Sequence, residues 1–150
     1  MRRTLSAVVA LLSSTALLVT LTGCLATTDE AAGWREDARV AAGDTHSQLM
    51  TVRLVLVERD GLLGRYDATV VRDAEEAVGT ASDDLAKSQP PRALRPTYDR
   101  LTTLLDDAGS LVAEARTAVG ERDTSRYADL VRRIERLAPR VERMEKELRG

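Results

Sequence analysis

The chain has 150 residues, with 22 basic and 24 acidic side chains, one cysteine, one histidine and no phenylalanine. That length fits one domain. A net charge of −2 without a basic stripe argues against nucleic acid as a partner, and a single cysteine excludes an internal disulfide.

The start is the most specific part. Met1-Arg2-Arg3 precedes an apolar run from Leu5 to Leu21, and Leu21-Thr22-Gly23-Cys24 follows. A basic start, an apolar middle and small residues at a cut site are the parts of a secretory signal. The last four residues look like the lipobox of bacterial lipoproteins. That resemblance implies cleavage between Gly23 and Cys24 by signal peptidase II, with a diacylglyceryl group on the Cys24 sulfur. The implied organisation is a signal peptide at 1–23, a lipidated tether at 24–29 and a helical domain at 30–150. The competing reading is an uncleaved span over residues 5–22. Those 18 positions are near the lower limit for a ~30 Å hydrocarbon layer, and Ser13, Ser14, Thr15, Thr20 and Thr22 weaken it further. In both cases the domain is held at the membrane on its extracytoplasmic face, because the two arginines stay inside. Two acyl chains anchor stably where one does not, at ~0.8 kcal/mol per buried methylene.

Removing residues 1–23 takes away Arg2 and Arg3 and no acid, which leaves 127 residues with 20 basic and 24 acidic side chains. There is one Trp and one Ile, so the core must come from Leu, Val and Ala. The bias toward Ala, Arg, Val, Leu, Asp and Gly is that of a high-GC genome. The chain as a whole resembles small, helix-rich lipoproteins of high-GC Gram-positive bacteria. Only residues 1–24 carry that likeness with any specificity, so it assigns no site in the domain.

Helical spacing runs through the rest. Thr27-x-x-Glu30 offers a capping box for a first helix. Trp34, Ala38, Ala41, Thr45, Leu49, Val52 and Leu56 then form one stripe. Residues 50–57 would also read as a strand, but no second strand exists to pair with it. A second helix spans about Tyr66 to Lys87, with Tyr66, Val70, Ala74, Ala77, Ala81 and Leu85 inward, and Pro90-Pro91 ends it. The third carries Leu94, Tyr98, Leu101, Leu105, Ala108, Val112, Ala115 and Val119, a heptad stripe widened by Leu104, Leu111 and Ala118. Gly120 is placed to stop it, and Asp123, Thr124 or Ser125 to cap the next. The fourth presents Tyr127, Leu130, Ile134, Leu137, Val141, Met144 and Leu148. Pro139 inside it removes one backbone hydrogen bond and predicts a kink without a stop.

Length decides where the first two helices part. One helix over 30–88 would run ~88 Å at 1.5 Å per residue, and the ~40 Å helices that follow could cover only half of it. A break at Gly61–Gly64 gives four matched segments. The expected fold is all-α, an antiparallel up-down-up-down four-helix bundle, with a three-helix bundle as the alternative. Trp34 and Tyr98 should then meet at one end, with Tyr66 and Tyr127 at the other, as plugs.

Catalytic chemistry is not indicated. His46 stands alone, the Glu-x-x-His pattern of di-iron bundles is missing, and no Gly-x-Ser-x-Gly elbow accompanies a serine. Gly61-Leu-Leu-Gly64 lacks the spacing and the lysine of a phosphate loop. Glu75-Glu76, Asp83-Asp84 and Asp106-Asp107 fall between inward positions and read as solvated pairs. We therefore expect neither an enzyme nor a cofactor nor a metal. Arg132, Arg136 and Arg140 line a ridge on the fourth helix, a weak candidate for binding lipid headgroups or wall polymers. Asp129–Arg133, Glu142–Lys146 and Glu145–Arg149 are helix pairs that would neutralise much of that face. The expected role is an interaction or scaffold module, anchored through lipid on Cys24, with a protein partner at the cell envelope. The second expectation, a small-ligand or lipid binder, would use a cavity between Ala74, Ala77, Ala81 and Ala108, Ala115. The sequence specifies neither the partner nor the oligomeric state.

Overall fold

The computed structural model describes the backbone of residues 2–58 and 66–150, and the side chains of 29–58 and 66–150. Four helices follow in order: α1 (Arg2–Val57), α2 (Asp67–Lys87), α3 (Arg95–Glu121) and α4 (Tyr127–Leu148). Short 3-10 turns at Arg92–Leu94 and Thr124–Arg126 lead into α3 and α4. The fold is an all-α, antiparallel four-helix bundle. α1 packs most extensively on α4 and then on α2, α2 packs on α3, and α3 packs on α4. α1 and α3 also touch across the diagonal. Both bring buried alanines to the interior, Ala38 and Ala42 from one and Ala108 and Ala115 from the other, which permits close approach.

α1 and α2 are separate helices, so the single helix over 30–88 is ruled out. Gly61 and Gly64, assigned to the turn, lie outside the described residues. α1 begins at Arg2 in this chain, so Thr27 and Glu30 sit within a helix and not at its start.

The apolar stripe of α1 is inward at every expected position: Trp34, Ala38, Ala41, Thr45, Leu49, Val52 and Leu56 are all buried. α3 and α4 behave the same way, from Leu101 to Val119 and from Leu130 to Leu148. Each fully buried Leu, Ile or Val contributes about 1.5–3 kcal/mol of transfer free energy. α2 departs from expectation. Its buried residues are Val71, Ala74, Val78 and Leu85, while Val70, Ala77 and Ala81 are half-buried and Tyr66 is 60% exposed. The physical reason is size. Turning inward the face that carries Val71 and Val78 buries more apolar surface than the face with Ala77 and Ala81, at ~0.8 kcal/mol per methylene. Val78 meets α3 where Gly109 leaves room, with its Cγ1 3.9 Å from the position a Cβ there would take.

Helix ends follow local chemistry. Asp123 accepts hydrogen bonds from the Ser125 backbone N–H at 3.2 Å and from the Ser125 hydroxyl at 2.5 Å, capping the turn into α4. At the end of α3 the left-handed residue is Arg122 (φ 57°, ψ 31°), not Gly120, which remains helical. The Asp123 N–H reaches back to the Ala118 carbonyl at 2.9 Å and the Arg122 N–H to Val119 at 3.1 Å, a Schellman closure. Pro139 is exposed, and α4 continues through it to Leu148. At one end of the bundle the Trp34 and Tyr98 rings lie 6.4 Å apart, tilted by 51°. Trp34 is 4% exposed and plugs that end, as expected. At the other end only Tyr127 is half-buried, because the solvent-facing Tyr66 lies just before α2.

Candidate functional site: an acidic groove and an arginine crest

α1 and α2 diverge enough on their outer side to leave an open groove of about 750 Å³. Its floor is apolar, made by Val40, Ala41, Ala77, Ala81 and Leu85. Its walls carry Asp37 and Asp44 from α1 and Asp73, Glu76 and Asp84 from α2, with no basic side chain among the lining residues. The spacing explains the walls. Asp37 and Asp44 are seven apart on α1, two turns on one edge, and Asp73, Glu76 and Asp84 repeat along one edge of α2. The inward turn of Val71 and Val78 is what places Ala77 and Ala81 in this groove and not against α3. Two walls are partly neutralised: Asp73 pairs with Arg72 at 3.0 Å and Asp84 with Lys87 at 2.7 Å. Asp37, Asp44 and Glu76 form no ion pair among the described residues. Val40 is 44% exposed in the groove, an apolar side chain left in water between carboxylates.

The opposite sign appears on α4. Arg132, Arg136 and Arg143 are spaced four and seven apart on its outer crest, and all are exposed. Arg132 pairs with Asp129 of the preceding turn at 2.9 Å, and Arg140 stands 3.7 Å from Asp107 of α3. Arg136 and Arg143 form no ion pair among the described residues. Arg133 differs from its neighbours. It does not pair with Asp129, as the helical spacing had indicated, but donates to both oxygens of Glu114 on α3, at 2.5 and 2.7 Å. That bond holds the Glu114 carboxyl below the usual carboxylate range, against a smaller opposing effect of burial. Glu142–Lys146 at 2.6 Å and Glu145–Arg149 pair as expected. Ion pairs also cross the seams, Arg53–Glu135 at 2.7 Å between α1 and α4 and Arg116–Glu75 at 2.5 Å between α3 and α2. Glu75 is half-buried and engaged, and Asp107 faces Arg140, so of the acidic pairs Asp106 is among those that stay merely solvated.

The other candidates of the sequence do not converge. His46 is half-buried on α1, and its nearest electrostatic effect is to lower the Glu142 carboxyl slightly, behind the contribution of Lys146. Among the described residues no group of His, Cys, Asp and Glu stands close enough to share a metal ion. Among the same residues no helix is long and apolar enough to cross a membrane. Of the alanines expected to line an inter-helix cavity, Ala74, Ala108 and Ala115 are buried in the core, while Ala77 and Ala81 line the open α1/α2 groove. The lipobox residues Gly23 and Cys24 lie outside the described side chains. The sequence contained the signal for the acidic groove, in the spacing of its carboxylates. It could not be read without knowing which helices are neighbours.

The chain matches no family model, no curated protein and no solved structure. Function therefore rests on the residues themselves.

Proposed function

We propose that the protein is an extracytoplasmic, lipid-anchored helical interaction module, tethered through Cys24 and presenting the bundle as a docking surface near the membrane. The observation that carries the anchor is the leader itself: Arg2-Arg3, the apolar run and Leu21-Thr22-Gly23-Cys24 in the one place where a lipobox works. The interaction role draws its support from what the domain displays. Its interior is closed by well-packed apolar residues, and its distinctive outer features are an acidic groove with an apolar floor and a helix crest of arginines. Such surfaces suit association with a partner, and the proposed role includes no enzymatic activity, cofactor or nucleic-acid partner.

The test is mass spectrometry of the native protein together with membrane fractionation of Cys24→Ala. The expected product starts at Cys24 and carries a diacylglyceryl group, and the variant is neither processed nor retained as lipoprotein. An intact leader on the native protein, or normal processing and retention of the variant, would overturn the anchor.

A further inference from the structure

We infer that the acidic α1/α2 groove receives the arginine crest of α4 from a second copy of this chain, so that neighbouring bundles associate side by side. This deepens the reading of the domain as an interaction module, and it does not depend on the lipid.

Charge comes first. The groove holds five carboxylates, and among the described residues Asp37, Asp44 and Glu76 form no ion pair. The crest holds Arg136 and Arg143, which form none among the same residues either. The unpaired charges of one surface therefore complement those of the other, and both surfaces belong to every copy. Shape is next. The crest follows the exposed side of α4, where Arg136 and Arg143 also border grooves toward α3, and the acidic groove is concave. Its floor alanines, Ala77 and Ala81, leave space for the aliphatic stems of arginine, which can cover the exposed Val40 while their guanidinium heads reach the walls.

Height decides between orientations. α2 and α4 run in the same direction in the bundle and start at the same end, where the charge of Asp67 is felt at the Tyr127 hydroxyl. They have nearly equal lengths, 21 and 22 residues. Asp73, Glu76 and Asp84 are the seventh, tenth and eighteenth residues of α2, and Arg132, Arg136 and Arg143 are the sixth, tenth and seventeenth of α4. The two series agree to within one residue, about 1.5 Å of rise. A sideways shift of one copy, with no tilt and no change of level, therefore brings each arginine to the height of a carboxylate. Arg136 opposite Glu76 is the match in which neither member has an ion pair among the described residues, while Asp73, Asp84 and Arg132 would have to share themselves with Arg72, Lys87 and Asp129. The same shift keeps both N-termini pointing the same way, which is what two molecules held in one membrane require. Groove and crest are different surfaces, so the contact is heterologous. Repeated, it gives open rows and not a closed dimer.

The experiment is sedimentation velocity of the full chain in a neutral detergent, in about 50 mM and about 500 mM salt, where screening separates charge-driven association from apolar association. Two charge-reversed variants accompany it, Asp44→Lys/Glu76→Lys and Arg136→Glu/Arg143→Glu, each checked for helix content by circular dichroism. The milder pair Asp44→Asn/Glu76→Gln serves if a reversal unfolds the chain. The native chain is expected to form concentration-dependent species larger than a monomer at low salt, weakened at least tenfold at high salt. Each reversed variant alone should be monomeric, and an equimolar mixture of the two should associate again. A native chain that stays monomeric, reversed variants that associate like the native chain, or a mixture that fails to recover would each overturn the inference. A monomeric chain that is still lipidated leaves the anchor standing. Association of a chain that carries no lipid separates the two readings the other way.

Discussion

The guanidinium of Arg133 grips both carboxylate oxygens of Glu114 at 2.5 and 2.7 Å, fastening α4 to α3 through a fork-to-fork contact. Arg126 adds a looser contact to the same carboxylate at 3.8 Å. The folded-state carboxyl is held below its unfolded range. Its contribution to stability is therefore complete above the unfolded carboxylate range near pH 4.3 and is lost as pH falls through the lower folded value. Both side chains are more than a third exposed, so solvent screening limits the pair to less than about 1 kcal/mol. Urea unfolding at pH 7 and pH 3 should show the native chain more stable than Glu114→Gln by that margin at neutral pH, with the gap closing at pH 3. A gap that does not change with pH would mean that the contact is one of packing only.

Thr45 is completely buried in α1, and its hydroxyl has no hydrogen-bond partner among the described residues. Other hydroxyls on this helix solve the problem locally: Ser47 donates to the Gly43 carbonyl and Thr51 to the Ser47 carbonyl, each at 3.0 Å. An unpaired buried hydroxyl costs about 1–3 kcal/mol. Thr45→Val keeps the branched shape and removes the polar atom, so it is expected to raise stability by about 1 kcal/mol in chemical denaturation. Thr45→Ser keeps the hydroxyl and leaves a cavity, and should lower it.

Pro139 occupies an exposed position in the middle of α4. It lacks the N–H that would bond to the Glu135 carbonyl, and a helix-interior proline costs about 3 kcal/mol relative to alanine. Pro139→Ala should therefore stabilise the bundle by about 2–3 kcal/mol, read as a higher denaturation midpoint with an unchanged slope. No change would mean that the rest of the bundle is adapted to the proline.

Arg122 is the one non-glycine residue with positive φ among the described residues. Left-handed backbone costs an L-residue roughly 1–2 kcal/mol, and glycine pays almost none of it. Arg122→Gly should stabilise the α3–α4 connection by about 1 kcal/mol. A melting curve that shifts downward would show that the arginine side chain contributes more than its backbone costs.

How much of this was readable in the chain depended on the size contrast within each helix. α3 and α4 set large apolar residues on one face and charges on the other, and α1 keeps one continuous inward stripe although Val40, Met50, Leu54 and Val57 stay exposed. Their inward positions follow from spacing alone, down to the buried Thr45. α2 has alanine or valine on adjacent faces, as at Val70-Val71 and Ala77-Val78. There spacing offers two phases, and the amount of surface each buries decides between them. The separation of α1 from α2 followed from matching lengths, an argument about the whole molecule. The cap at Arg122 defied a local rule: the helix runs one residue past Gly120, to Glu121, and the left-handed residue is the next one. The groove was illegible for another reason: its five carboxylates come from two helices whose facing edges only the assembled bundle defines.

α1 finds its most extensive partner in α4, the last helix of the chain. Contacts between the extremes of a sequence close the longest loops and come late in folding. A nascent polypeptide with this arrangement cannot seal its interior until its final turns have been made. Up to that moment three helices form only an open trough. Under the proposed reading of residues 1–23 as an export leader, that delay would have a use: the polypeptide would stay threadable through a narrow channel and lock into shape only once α4 had followed.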